Sequence, residues 1–236
     1  MPVPGGPYLL DVDPGLFPSP AVPGLIWAEG VRALPSASPP PFLSELLGRA
    51  AGLGEGLVPP KVRDDVRAML RFGRYKPSGR GKPASEFLLR AAAEGSFPLV
   101  NGPVDVNNAI SLESGLPGSI FDGDLVGREL LLRRGAAGES YVFNPSGQTI
   151  DLEDLLTVCR RVGGTWEPCG NPVKDSMATK VHAATTSVVA VLYAPRSCSL
   201  PDLGRWCERF AELLAAHCGA VHAGVRVPGG PESALV

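Results

Sequence analysis

FPLVNGPVDVNNAISLESGLPGSIFDGD, residues 97–124, sets polar side chains at fixed places between apolar ones. Its middle predicts a helix over 105–114, with Asp105 at the positive end, where a carboxylate is favoured. LPGSIFDGD after it is expected to be loop, being rich in turn residues. Asn107 and Asn108 stand inside the helix-forming part. A buried amide is unfavourable unless it finds partners. The pair is therefore either a satisfied structural network or part of a surface that holds a small polar ligand between apolar walls.

Upstream, RYKPSGRGKPASEFLLR (74–90) reads as a cationic loop entering a helix at 84–94, which carries Phe87, Leu88, Ala91 and Ala92 and stops at Gly95. Val62, Val66, Met69 and Leu70 recur at helical spacing after Pro59-Pro60, predicting a helix over 61–72. Eight basic residues fall between Lys61 and Lys82, against the acids Asp64 and Asp65, in a chain whose net charge is −2. Such a run either tracks a phosphate backbone or forms a solvated helix face. No aromatic residue interleaves it beyond Phe72 and Tyr75.

Downstream, 129–134 (ELLLRR) and 140–144 (SYVFN) read as an antiparallel strand pair around Gly135–Gly138, and 187–193 as a buried strand. A helix over 201–218 carries Leu203, Trp206, Phe210, Leu213 and Leu214 on one face, with Ser199 as its cap and Gly219 as its stop. Residues 1–24 look too punctuated by Pro and Gly for a helix or a central strand. Residues 25–34 read as a strand and turn with Trp27 as an expected core anchor, 35–41 as a proline-rich connector, 42–51 as a helix with Ser44 as a candidate cap, and 228–236 as a flexible tail. Helices mixed with antiparallel strands point to an α+β fold.

The chain has 236 residues, with 29 Gly, 25 Pro and 44% hydrophobic residues. That composition excludes collagen, coiled coil, full disorder and a disulfide mini-protein. The longest apolar run, Val188 to Ala194, is too short to span a bilayer. No Lys or Arg precedes Arg32, so no secretory leader is expected. Five cysteines without a close pair, and three histidines without ligand spacing, predict reduced thiols, a cytoplasmic setting and no metal site. Phosphate-binding loops, dinucleotide fingerprints, zinc-protease helices and nucleophile elbows are all missing.

Taken together, Lys76-Pro77-Ser78, Ser85-Glu86, Val104-Asp105-Val106-Asn107-Asn108, Ser111-Leu112, Leu116-Pro117 and Phe121-Asp122 form an ordered pattern. Gly138-Glu139, Asp175, Thr179 and Thr185 continue it. Over about residues 60–195 this pattern resembles the B3/B4 domain of the bacterial phenylalanyl-tRNA synthetase beta subunit, and particularly its freestanding relatives. The resemblance implies a mixed α+β fold with an antiparallel or mixed sheet and packed helices. It also implies a module that hydrolyses a wrongly attached aminoacyl ester on tRNA. In the synthetase pattern D-V-T-N, then G-Q-P-x-H-A-F-D, the Thr and Asn positions are Asn107 and Asn108 here. Pro117, Phe121 and Asp122 match. The His falls on Ser119, and a later Glu falls near Val191.

The resemblance thus implies a trans-acting editing hydrolase for a mischarged aminoacyl-tRNA. An aminoacyl ester is labile, so positioning it and one water supplies much of the acceleration. The catalytic candidates are Asn107, Asn108 and Ser119, the last holding a water where the family has His. Substrate-binding candidates are Lys76, Ser78, Pro117, Phe121, Asp122, Lys174 and Asp175. Arg74, Lys76, Arg80 and Lys82 are the candidates to grip the CCA end through its phosphates. No cofactor, metal, DNA or membrane partner is expected. The rival expectation is a module that binds tRNA or an amino-acid-like ligand without chemistry. The domain expected to carry all this is 60–227, with 1–59 a proline-rich extension partly packed on it.

Overall fold

A computed structural model gives the fold for residues 8–228 and 233–234. Strands β1 (Leu9–Val12) and β2 (Ala21–Glu29) come first, then helices α1 (Pro41–Leu53), α2 (Pro60–Leu70), α3 (Ala84–Ala93) and α4 (Gly102–Ser114). Strand β3 (Gly118–Asp122) and the single turn α5 (Gly123–Val126) follow. Next are β4 (Glu129–Arg134), β5 (Ser140–Val142), β6 (Thr149–Asp151), β7 (Leu156–Val162), β8 (Thr165–Gly170) and β9 (Ser187–Pro195). Helix α6 (Leu200–Cys218), β10 (His222–Arg226) and β11 (Ser233–Ala234) end the order.

One antiparallel sheet runs β11-β10-β2-β9-β3. A second runs β1-β4-β7-β8 and is antiparallel except for the β1–β4 pair, while β5 and β6 form a ribbon of their own. On β2, Gly24 lies against α6: a Cβ there would collide with Cys207 Sγ and Leu203. Leu192 and Gly118 share that face by register. Trp27, Val189 and Phe121 point to the other face, where Phe121 sits against Gly170 at the end of β8. Helices therefore cover one side of the first sheet and the second sheet reaches the other. That is the α+β class expected from the sequence.

Several local expectations are corrected. Residues 21–24 belong to an interior strand, not an irregular arm. Pro23 is tolerated because β10 pairs only Leu25–Glu29, so β2 is locally an edge at Pro23. Residues 21–29 thus build the central sheet, whereas the 1–59 segment was expected to lie over the core. GSIFD is a wholly buried strand, not loop. The strands at 129–134 and 140–142 do not pair with each other. β4 pairs with β7, with Leu130 and Leu132 in the main core, while Tyr141 joins Leu152, Leu155 and Val173 in a separate cluster that draws β5 onto β6.

Helix α4 starts at Gly102 because Asn101 accepts from the Val104 N–H at 3.2 Å, and Asp105 falls in its first turn. Ser44 caps nothing; its hydroxyl donates to Pro39 O at 3.2 Å inside a helix that begins at Pro41. In the expected tail, Ser233–Ala234 pair with Gly224 and Val225, and residues 229–232 and 235–236 lie outside the described residues. Among the described residues no helix is long and apolar enough to cross a membrane.

Candidate functional site

The cationic loop is stretched between two anchors. After α2, Phe72 and Tyr75 exchange backbone hydrogen bonds, and the Arg74 N–H donates to Asp154 Oδ2 at 2.7 Å. Arg74 Nη1 also meets Glu153 at 3.0 Å. Further on, the Tyr75 hydroxyl donates to Gly81 O, and the loop runs into α3 through Pro83. Held in this way, the loop forms one wall of a cleft of about 1700 Å³.

The cations of the cleft fall into two groups. On α2, Arg67 makes a two-pronged contact with Glu86 at 2.6 and 2.5 Å, and Arg63 meets Glu55. These are neutralised, as the solvated-helix reading of the basic run requires. Lys76, Arg80 and Lys82 have no ion pair among the described residues. Lys174 and Lys180 stand in the same cleft. Lys174 Nζ lies 3.7 Å from the centre of the Phe143 ring. Burial, and then the Arg80 guanidinium, hold its ammonium below the ordinary lysine range. Cations gathered on one cleft without ion pairs of their own make a ready seat for an anion.

Asn108 also lines the cleft, half-buried. Behind it, Asn107 is buried and donates at 3.4 Å both to Asn108 Oδ1 and to Gly118 O, while its own Oδ1 has no protein partner. Gly118 has no room for a side chain, since a Cβ would come within 2.6 Å of that oxygen. The two asparagines are thus joined to each other and to the free edge of β3.

The remaining predicted residues sit elsewhere. Ser119 is fully buried, with its hydroxyl 2.9 Å from Tyr193 Oη and donating to Asn171 O at 3.3 Å. Asn171 Nδ2 donates to the Tyr141 hydroxyl, and the Tyr141 hydroxyl donates to Lys174 O at 2.6 Å. Burial pushes both tyrosines well above the usual phenol range, so they remain neutral. Asp175 Oδ2 accepts from the Ile120 N–H at 3.1 Å, and its enclosed Oδ1 has no hydrogen-bond partner among the described residues. Burial raises that carboxyl to about 6.

Asp122 caps α5, accepting from the Asp124 and Leu125 N–H groups at 3.0 Å, and meets Thr185 and His182. Phe121 and Pro117 are buried, the Pro117 carbonyl accepting from the Tyr193 N–H at 3.0 Å. Ser78 is exposed but does not line the cleft. Of the predicted set, Asn108, Arg74, Lys76, Arg80, Lys82 and Lys174 come together on the cleft. Asn107, Ser78, Pro117, Ser119, Phe121, Asp122 and Asp175 do not line it.

The B3/4 domain family matches residues 72–198 of the chain. The chain belongs to this family. The phenylalanine–tRNA ligase beta subunit of Cutibacterium acnes (strain DSM 16379 / KPA171202) is 30% identical over 184 residues, 72% of this chain. The match covers 22% of that subunit, so the chain spans about a fifth of its length. An N-terminal fragment of the phenylalanyl-tRNA synthetase beta-subunit from Pyrococcus horikoshii superposes with a TM-score of 0.50 at 11% identity. It covers 90% of this chain and 49% of that one, a likeness of fold alone.

Within this B3/4 domain, the two residues that the resemblance sets at the synthetase's His and Glu are neighbours. Ser119 and Val191 are paired across β3 and β9, so their side chains share one face. Tyr193, two residues further along β9, shares that face and bonds Ser119. Sequence reasoning missed Tyr193, Asn171 and Tyr141, although a period of two along β9 links 191 to 193. It also misjudged Phe87, which was counted with the apolar side of its helix but is 64% exposed on the cleft wall. Among the described residues no group of three or more His, Cys, Asp or Glu converges as metal ligands do.

Proposed function

We propose that this protein receives the 3′ end of an aminoacyl-tRNA in the cationic cleft and hydrolyses a wrongly attached amino acid in trans. The observation that carries this reading is the meeting of Lys76, Arg80, Lys82 and Lys174 on one cleft with Asn108 on its wall. Cations without acids of their own bind a phosphate backbone chiefly by releasing its counterions. The kinship with the beta subunit of phenylalanine–tRNA ligase supports tRNA as the source of that backbone.

The chemistry asked of the protein is modest. Water adds to the ester carbonyl, the bond to the ribose oxygen breaks, and the amino acid leaves as a carboxylate while one proton of the water goes to the departing ribose oxygen and the other to solvent. Asn108 orients ester and water through its amide, and Asn107 holds Asn108 in place. The neighbouring ribose hydroxyl of the tRNA serves as proton relay. Such a site is slow, because it contributes position rather than a strong base.

A second reading, binding without hydrolysis, is favoured by one feature. Ser119 and Val191 offer no ionisable group where the synthetase pattern has two, and Ser119 already has its hydrogen bonds. A panel of mischarged tRNAs separates the readings. Hydrolysis of one member, reduced at least about tenfold by Asn108→Ala while tRNA affinity is kept, is the expected result. Undiminished binding with every ester left intact would replace the hydrolase with the binding module.

A further inference from the structure

Helix α3 buries Leu88, Leu89, Ala91 and Ala92, and turns Arg90 and Glu94 to solvent, where they pair at 2.8 Å. Phe87 stands on the solvent side with them, 64% exposed. Among the described residues it is the only exposed large apolar side chain that lines the cleft. The fold gains little from a phenyl group there, and leaving one in water is unfavourable. Two other phenyl rings already carry a cation on one face. Phe72 lies under the Arg134 guanidinium at 4.4 Å, and Phe143 carries Lys174 on its face. The Phe87 ring has neither a ring nor a cation against it among the described residues.

We propose that Phe87 is a stacking platform for an unpaired nucleobase of the RNA end held in the cleft. This role rests on the tRNA reading of the cleft and adds a base contact to its phosphate contacts. An open aromatic face among unneutralised cations is the combination by which single-stranded nucleic acid is held: the cations follow the backbone and the ring takes a base of any identity. Lys76, Arg80 and Lys82 supply the first part from the loop leading into α3. Phe87 supplies the second from the first turns of that helix.

The test measures binding of two short single-stranded RNAs by fluorescence anisotropy. One ends in CCA, and the other has abasic residues in place of those bases. Phe87→Ala should weaken the base-bearing RNA about tenfold and leave the abasic RNA unchanged. Its salt dependence should keep the wild-type slope, because no phosphate contact is lost. Alanine is a good helix former, so the exposed site tolerates it. Phe87→Trp should retain affinity, and the base-bearing RNA alone should quench its fluorescence.

Equal weakening for both RNAs, or none for either, overturns the stacking role while RNA binding stands. If the wild-type protein binds neither RNA, the tRNA reading falls and stacking falls with it.

Discussion

The cleft and the polar cluster behind it both gather polar side chains, charged in one and neutral in the other, in opposite surroundings. In the cleft, Lys76, Arg80 and Lys82 face solvent, and none has an acid partner among the described residues. Behind it, Ser119, Tyr193, Asn171 and Tyr141 use hydrogen-bonding groups on one another in the buried interior. Inside, every unmet polar group is expensive and the arrangement is fixed. In the open cleft, a charge without a partner adds little to folding and remains available to a ligand. The polar side chains of this B3/4 domain thus fall into a set closed on itself in the interior and a set left open on the cleft.

The largest effect expected from that separation is on stability. Phe121→Ala empties a fully buried site against Gly170 and should cost about 3–5 kcal/mol. The combined change of Lys76, Arg80 and Lys82 to Ala should stay within about 1 kcal/mol of wild type. Urea unfolding of both proteins checks the contrast, and comparable losses would break it.

A smaller effect concerns pH. The Asp175 carboxyl, ordinarily near 3.8, is raised to about 6 in the folded protein, chiefly by burial. Below about pH 4 both folded and unfolded chains hold its proton. Between there and about 6 only the folded chain does, so this contribution to stability is present at acid pH and is lost as pH rises through 6. Asp175→Asn keeps an acceptor for the Ile120 N–H and cannot ionise. Its unfolding midpoint should lose that downward slope, and a variant retaining the wild-type slope would remove Asp175 as the cause.

Elements set by near neighbours were legible in the sequence. Helix α6 has its apolar residues at helical spacing, its Ser199 oxygen accepting from the Asp202 N–H at 3.2 Å, and Gly219 in the left-handed conformation at its end. The strand read over 25–34 matches the second half of β2, but its start was hidden because Pro23 and Gly24 read locally as breakers, whereas their roles depend on where β10 ends and how closely α6 approaches. The β4 and β5 strands were recognised but mispaired, since the burial of Tyr141 with Leu152, Leu155 and Val173 decides their partners.

The candidate site divides in the same way. The cations of the loop could be read directly, because exposure leaves a charge as the sequence writes it. The seclusion of Ser119 could not, because it depends on Asn171 and Tyr193, 52 and 74 residues away. Phe87 misled for a related reason. Its helix places one apolar residue on the polar side, and only the cleft opposite gives that departure a use.

The most direct test of the central claim is binding of an aminoacyl-tRNA across a salt series, comparing wild type with the Lys76, Arg80 and Lys82 triple alanine variant. The account predicts binding that weakens steeply with salt, and a variant whose logarithmic slope is shallower by about 0.7 for each phosphate contact removed. A triple variant that binds as tightly and with the same slope as wild type would contradict it.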